Sequence, residues 1–375
     1  MTERPPRRPV LQLLVSTKPG GGPQHVATLA RGLRARGWPL VVAGPADGVL
    51  FDAFRTSGIE TVEVATNRLT PAPLFQLLRL VRTRGIALVH SHGKGAGLYG
   101  RLVARLSGIP AVHTFHGLHF ETYRAVARVG YLALERRLSA WTARIVNVSR
   151  AQETEGLALR LFEARQSRVI ANGVDIARLG AEALDRDAAR VRLALPSGRL
   201  IVGTIARFDP VKRLDVLIEA TAREPEATLV LVGDGEEAPR LRALAAARRL
   251  GSRVVFAGEC QDAARLLRAF DVYASASRKE GMPLAILEAM AVGLPIVASD
   301  IPAHREVLGA TSAGLAPGTV EGFTRALGML ARDAAARLAL GEHNRTRACS
   351  EFDAVAMVDA VAALYDEVLR ATATS

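Results

Sequence analysis

The chain has 375 residues, 49% of them apolar, and carries a formal net charge of +12. That length suits two domains of ordinary size, and the composition excludes a largely disordered chain. The charge favours an anionic partner such as nucleotide phosphates, a membrane surface or nucleic acid, although the arginine-dominated skew reads equally well as coding bias.

Taken in chain order, Arg4 to Arg8 followed by the apolar run Val10–Val15 mimics a secretory leader. The run is short, contains Gln12 and leads into glycines, so it reads as a first buried strand of a cytoplasmic protein. The cysteines, Cys260 and Cys349, lack metal-ligand spacing and fit a reducing compartment. No stretch reaches the roughly 20 apolar residues needed to cross a bilayer. Further strands are expected at Leu40–Ala43, Thr61–Val64, Ala87–His90, Ala111–Thr114, Arg144–Val148 and Arg168–Ile170, with helices at Gln24–Arg36, Pro73–Arg84 and Gly95–Ser107 between them. Asn172-Gly173-Val174-Asp175 is a turn signal, and the polar stretch after it marks a domain boundary. A second series follows at Leu200–Ile205, Thr228–Val232, Val254–Ala257, Val272–Ala276 and Pro295–Ala298. Such alternation gives two α/β units with parallel sheets, whose ligands sit beyond the carboxyl ends of the strands. The expected division is 1–175, a linker at 176–196, a second domain at 197–352, and a closing helix at 353–375 that packs back on the first.

The polar residues at these strand ends carry the chemistry. Lys18-Pro19-Gly20-Gly21-Gly22 after the first strand lets backbone approach a phosphate or sugar, with Gly21 and Gly22 favoured; without a following Gly-Lys-Ser/Thr it is no ATPase loop. Ser91-His92-Gly93-Lys94 ends the fourth strand, where Lys94 either holds an acceptor phosphate or is simply solvated. His113, His116 and His119 crowd the end of the fifth; a metal site there lacks Cys or acidic ligands and is set aside, against a loop histidine that is merely satisfied. Tyr123–Ile145 patterns as an amphipathic helix, with Val126, Val129, Ala133, Leu134, Leu138 and Trp141 on one face and Arg124, Arg128, Arg136 and Arg137 around it. Contact with an anionic membrane and a core-packed helix both fit, the second better on pattern. In the second half, Arg207 and Lys212 make a diphosphate clamp, competing with salt bridges to Asp209 or Asp215. Arg278-Lys279-Glu280-Gly281-Met282-Pro283-Leu284-Ala285 then opens a helix that carries Glu288. Helix-start amides there bind phosphate, and carboxylates on either side accept hydrogen bonds from hydroxyls; taken alone, the two acids read better as a dipole cap and a solvated helix residue.

In this order, Arg207 with Lys212, Glu280 with Glu288 seven residues between, and Gly293-Leu294-Pro295-Ile296-Val297-Ala298-Ser299 resemble the donor domain of the retaining GT-B glycosyltransferases of family 4. Asn172–Asp175 and Leu231-Val232-Gly233-Asp234-Gly235 are similar to it as well, so the resemblance spans nearly the whole chain. It implies two facing Rossmann-like domains with an interdomain cleft, and a sugar moved with retention from a nucleoside diphosphate to an acceptor hydroxyl. It places Arg207 and Lys212 on the diphosphate, Glu280 on the sugar and Glu288 on the ribose. Gly281, Met282, Pro283, Leu284 and Ala285 would touch sugar and phosphates, with Gly258 in the loop framing the base. His116 becomes the acceptor-side histidine, with His92 and Lys94 beside it. The expected partners are a UDP- or GDP-linked sugar, a carbohydrate or lipid-linked acceptor and an anionic membrane, with no metal, no cofactor and no nucleic acid.

Three other readings share these features, one of them a non-catalytic nucleotide-binding protein. An epimerase or phosphorylase has the same architecture. Gly233-x-Gly235-x-x-Ala238 after a strand, with Glu259 downstream, has the form of a dinucleotide fingerprint, but Asp234, Glu236 and Glu237 crowd carboxylates where a pyrophosphate would lie.

Overall fold

The computed structural model describes residues 7–373 apart from 119, 121, 122 and 197. The chain divides into two units: one runs through Gly173 and resumes at Ala354, and the other is Val174–Asp353. The first holds strands β1 (Val10–Leu13), β2 (Leu40–Gly44), β3 (Glu60–Glu63), β4 (Leu88–His92), β5 (Ala111–Phe115), β6 (Arg144–Asn147) and β7 (Ser167–Val169). All are parallel, in the order β3-β2-β1-β4-β5-β6-β7. The second holds β8 (Leu200–Ile205), β9 (Ala227–Val232), β10 (Val254–Gly258), β11 (Val272–Ser275), β12 (Ile296–Ser299) and β13 (Leu315–Ala316), again parallel, in the order β10-β9-β8-β11-β12-β13. Strands β1, β2, β4, β5, β9, β11 and β12 are buried along their whole length. That burial is why they read as largely apolar runs rather than alternating ones, with buried polar breaks such as Gln12, His90 and His113.

The expected strands all form, with ends displaced by one or two residues. The first helix begins at Gly21 rather than Gln24, because Pro23 falls within its first turn, where a missing N–H costs nothing. The segment expected to link the domains is structured and belongs to the second unit. Helices Ile176–Glu182 and Arg186–Arg192 are capped by Asp175 and Asp185. Leu184 N–H donates to the Arg265 carbonyl at 3.0 Å, and Arg186 and Arg190 pair with Asp271. Arginines that read as linker polarity are thus anchors to a buried-edge carboxylate. The two points where the chain leaves this unit lie side by side, joined by Val174 N–H to the Phe352 carbonyl at 2.8 Å.

The closing helix Ala354–Ala373 packs in the first unit. Met357, Val358, Val361, Leu364, Tyr365 and Val368 are each at most 3% exposed, whereas Val355 points to solvent. Each buried side chain contributes roughly 1.5–3 kcal/mol. The first helix approaches closely enough that a Cβ at Gly32 would lie 2.5 Å from Val358, so this helix crossing requires glycine. No helix among the described residues is long and apolar enough to cross a membrane.

Candidate functional site

In each sheet the strand order reverses direction at one place, between β1 and β4 in the first and between β8 and β11 in the second. Loops leaving such a pair diverge and open a crevice at the carboxyl ends of the strands. The candidate residues gather at these two points.

In the second unit, β8 leads through Arg207 into the short turn Pro210–Lys212, and β11 leads through Glu280 into the helix Leu284–Ala291. Arg278 N–H donates to the Val211 carbonyl at 2.9 Å, which ties the two loops together. Lys212 Nζ then donates to Glu280 Oε1 at 2.6 Å. Their side chains are 23% and 12% exposed, so this is a mostly desolvated ion pair. Burial works to raise the Glu280 carboxyl, but the Lys212 ammonium, helped by Ser277, outweighs it and holds the group below its ordinary range. Glu280 is therefore an anion that can only accept hydrogen bonds. The pair lines a concavity with Thr204, Tyr273, Pro283 and Ala285. No acidic side chain occupies the first turn of the adjoining helix, leaving its amides to an anion. Gly281 and Met282 are buried, and Gly258 ends β10 with φ 74°, its carbonyl accepting from Gly233 N–H at 2.8 Å. Arg207 is placed differently from Lys212. Its guanidinium is 78% exposed and holds Asp209, with Nε to Oδ2 at 2.8 Å, the salt bridge that competed with the clamp in the sequence.

The glycines of the dinucleotide-like motif have a different task. A Cβ at Gly233 would lie 2.0 Å from the Ala206 carbonyl oxygen, and Phe208 N–H donates to the Asp234 carbonyl at 2.8 Å. These glycines let the turn after β9 support the loop that carries Arg207.

Glu288 lies inside the helix, half-buried, and desolvation pushes its carboxyl up to about 7 from 4.5. The folded chain thus keeps a proton that the unfolded chain has lost over that interval. The stability this group contributes is full below about 4.5 and fades as pH climbs through about 7. We expect Glu288→Gln to gain on wild type by about 2 kcal/mol from pH 5 to about pH 8, allowing for the group's partial exposure. Denaturant midpoints across that range check it, and a constant difference would contradict the assignment.

In the first unit, the same construction gathers histidines. His92 ends β4, His116 follows β5, and His25 comes from the first helix. His92 Nε2–H donates to Gln12 Oε1 at 2.9 Å, and its Nδ1 lies 3.1 Å from His116 Nε2. Gln12 Nε2 donates to Tyr365 Oη at 2.7 Å, and the tyrosine hydroxyl reaches His90 Nδ1 at 2.6 Å. His25 Nδ1–H donates to Asn172 Oδ1 at 2.9 Å. A continuous hydrogen-bonded chain therefore runs from the closing helix to His116. Burial, then the neighbouring His25 and His90, holds the His116 imidazole well below its ordinary value, so it is neutral near pH 7. Its ring lies over Gly22, 3.5 Å from where a Cβ would stand, while Gly21 starts the helix with open space beside it.

The other residues expected on the acceptor side are placed otherwise than their motif suggests. His92 is 2% exposed and reaches His116 rather than the surface. Lys94 donates to Tyr123 Oη at 2.9 Å and sits 4.5 Å above that ring and 4.8 Å from the Tyr131 ring. His113 is fully buried in β5 against Ser91, and His119 lies outside the described residues. The amphipathic segment forms a shorter helix, Ala125–Ser139, turned away from its expected face. Val126, Val129 and Leu134 are 86%, 67% and 44% exposed, whereas Leu132, Glu135 and Leu138 are buried. The cause is the buried pair Arg101–Glu135, 2.7 Å apart, which draws the charged residue inward and rotates the valines out. Core packing thus holds for the second half of this helix and fails for the first.

His25, Gln12, Asn172 and Tyr365 escaped the sequence reading as site residues. Gln12 was visible only as a polar break in an apolar strand, and Asn172 only as a turn former. Nothing marks His25 or Tyr365 within their helices.

Comparison with known proteins agrees with this construction. Residues 19–178 match the model described as Glycosyltransferase Family 4, and residues 185–347 match Glycosyl transferases group 1. The chain superposes on Anabaena HepE, solved with UDP and glucose, with a TM-score of 0.86 at 22% identity over 96% of this chain and all of that one. It is 28% identical over 307 residues, 79% of each chain, to UDP-Gal:alpha-D-GlcNAc-diphosphoundecaprenol alpha-1,3-galactosyltransferase of Escherichia coli. It is also 29% identical over 312 residues to the phosphatidyl-myo-inositol mannosyltransferase of Mycobacterium tuberculosis, covering 77% of this chain and 76% of that one. The two Rossmann-like units have the GT-B fold, and the family matches and relatives make the chain a GT-B glycosyltransferase. The chain belongs to glycosyltransferase family 4, with a group 1 domain as its second unit.

Proposed function

We propose that the protein transfers a hexose, with retention, from a UDP- or GDP-linked donor to a hydroxyl of a lipid-linked or polysaccharide acceptor. The observation that carries this reading is the Lys212–Glu280 pair at the mouth of the helix Leu284–Ala291. In the reaction, negative charge grows on the departing diphosphate. Lys212 and the helix-start amides stand where such charge is met, and the exposed Arg207 is free to swing from Asp209 to join them. This arrangement asks for no metal. Glu280, kept ionised by Lys212, accepts hydrogen bonds from sugar hydroxyls, and Glu288 accepts from the ribose. Retention follows the resemblance, which implies attack on the face the leaving group departs from, with the leaving phosphate taking the acceptor proton. His116 aligns sugar and incoming hydroxyl.

The acceptor class rests on the relatives, whose names specify a diphosphoundecaprenol-linked sugar and a phosphatidyl-inositol. The valines exposed beside Arg124 and Arg128 support peripheral contact with an anionic membrane on its cytoplasmic face. The test pairs UDP- and GDP-hexoses with polyprenyl-diphosphate-sugar acceptors. Nucleoside diphosphate release that depends on acceptor, with an α-linked product from an α-linked donor by NMR, is expected. An epimerised donor formed without acceptor, or an inverted product, would overturn the reading. Sedimentation with phosphatidylglycerol but not phosphatidylcholine vesicles, weakened by Val126→Asp, checks the membrane part; equal binding to both would contradict it.

A further inference from the structure

The histidines at the first unit's switch point are arranged for more than alignment of a sugar. Ring nitrogens of His25, His92 and His116 lie within 4.8 Å of one another. The ring centroids of His25 and His116 are 4.8 Å apart, and those of His92 and His116 are 5.3 Å apart. We propose that these three imidazoles form a binding site for Zn²⁺, and that its occupation inhibits the transferase by withdrawing His116.

The argument begins with tautomers. A carboxamide oxygen only accepts, so Asn172 Oδ1 fixes the proton of His25 on Nδ1 and Gln12 Oε1 fixes that of His92 on Nε2. His25 Nε2 and His92 Nδ1 are thereby left as lone-pair donors. Metal-bound histidines have this outer partner as a rule: an oxygen acceptor on the far nitrogen sets the ring's orientation and raises its basicity. Gln12 is itself held by Tyr365 at 2.7 Å, so the second support is anchored in the closing helix. His116 Nε2 stands 3.1 Å from His92 Nδ1 and now shares a proton with it. Moving that proton to His116 Nδ1 frees a third lone pair with no change of charge. His116 follows β5 in a loop rather than a strand, so it is the ring that can close the last ångström toward bond lengths of about 2.0–2.1 Å.

The chemistry of the set selects the ion. Three neutral imidazoles and no carboxylate suit Zn²⁺ over Mg²⁺ or Ca²⁺, and three protein ligands leave a fourth position open to water. A metal-held His116 no longer presents its nitrogen to sugar or acceptor. The inhibitory half of this inference therefore rests on the function proposed above, while the binding half does not.

The experiment uses the full chain, stripped with chelator, and Co²⁺ as a spectroscopic stand-in. Titration is expected to give the intense visible d–d bands of four-coordinate Co²⁺ at one ion per chain, removed by Zn²⁺. His25→Gln should abolish those bands, and Asn172→Ala should weaken binding about 10-fold, with circular dichroism showing both variants folded. Cys260 and Cys349 remain in every variant, so any signal from them persists and subtracts. Weak six-coordinate spectra, or bands unchanged in His25→Gln, would overturn the site. In turnover, Zn²⁺ should suppress wild type reversibly while leaving the rate of His25→Gln unaltered relative to its own metal-free rate. Equal suppression of both would remove the inhibitory claim, and absence of any transfer would count against the proposed function with the Co²⁺ result standing apart.

Discussion

Lys212→Ala is expected to lower kcat/KM for any nucleotide-sugar donor by about 10²–10³ while leaving the chain folded. In the proposed reaction the lysine has two tasks: it supplies a positive charge where the diphosphate departs, and it keeps Glu280 ionised through a 2.6 Å contact. Losing it leaves a nearly buried carboxylate without its counter-charge, which costs about 1–3 kcal/mol and drives Glu280 toward protonation. A protonated Glu280 is a poorer acceptor for sugar hydroxyls, so one substitution disables both functions. Glu280→Gln should produce a comparable loss, and the double variant should be little worse than either single one, because residues acting as a unit are not additive. Steady-state kinetics on the four proteins decide this. Losses that multiply would mean that the two residues work independently.

The second large effect is at His116, where alanine should reduce turnover by about 10²-fold with a smaller change in donor KM. The imidazole is already neutral near pH 7, held so by burial and by its histidine neighbours. In the proposed reaction it therefore orients groups through hydrogen bonds rather than exchanging a proton with solvent. The pH–rate profile of wild type should accordingly show no inflection that disappears in His116→Ala. An inflection between about pH 6 and 7 that is lost with the side chain would recast His116 as an acid or base.

Much of this was legible in the sequence because seven of the strands are buried along their whole length and carry largely apolar runs. Twelve expected strands formed in the two sheets, and the one overlooked, β13, is only Leu315–Ala316. Two residues on a sheet edge make no periodic signal. The local motifs were legible too: Glu280 does stand at a helix mouth, and Lys212 faces it from the neighbouring strand end. What stayed hidden depends on long-range contact. Tyr365 and Gln12 are 353 positions apart, and only the return of the closing helix brings them together. The Asn172–His25 bond spans 147 positions. The helix Ala125–Ser139 misled for the same reason, since its rotation is set by Arg101 on another helix and not by its own apolar stripe. The polar stretch 176–196 read as linker because its arginines find their carboxylate, Asp271, some 80 positions away.

The most direct measurement of the central claim is thermal stabilisation by UDP, GDP, ADP and their sugar conjugates, on wild type and on Lys212→Ala. Binding to the native state alone raises the midpoint in proportion to the logarithm of ligand excess. The account predicts a rise with one base, larger with its sugar conjugate, and its loss in Lys212→Ala. No rise across the panel, or a rise of equal size in the variant, would contradict a donor site built on Lys212 and Glu280.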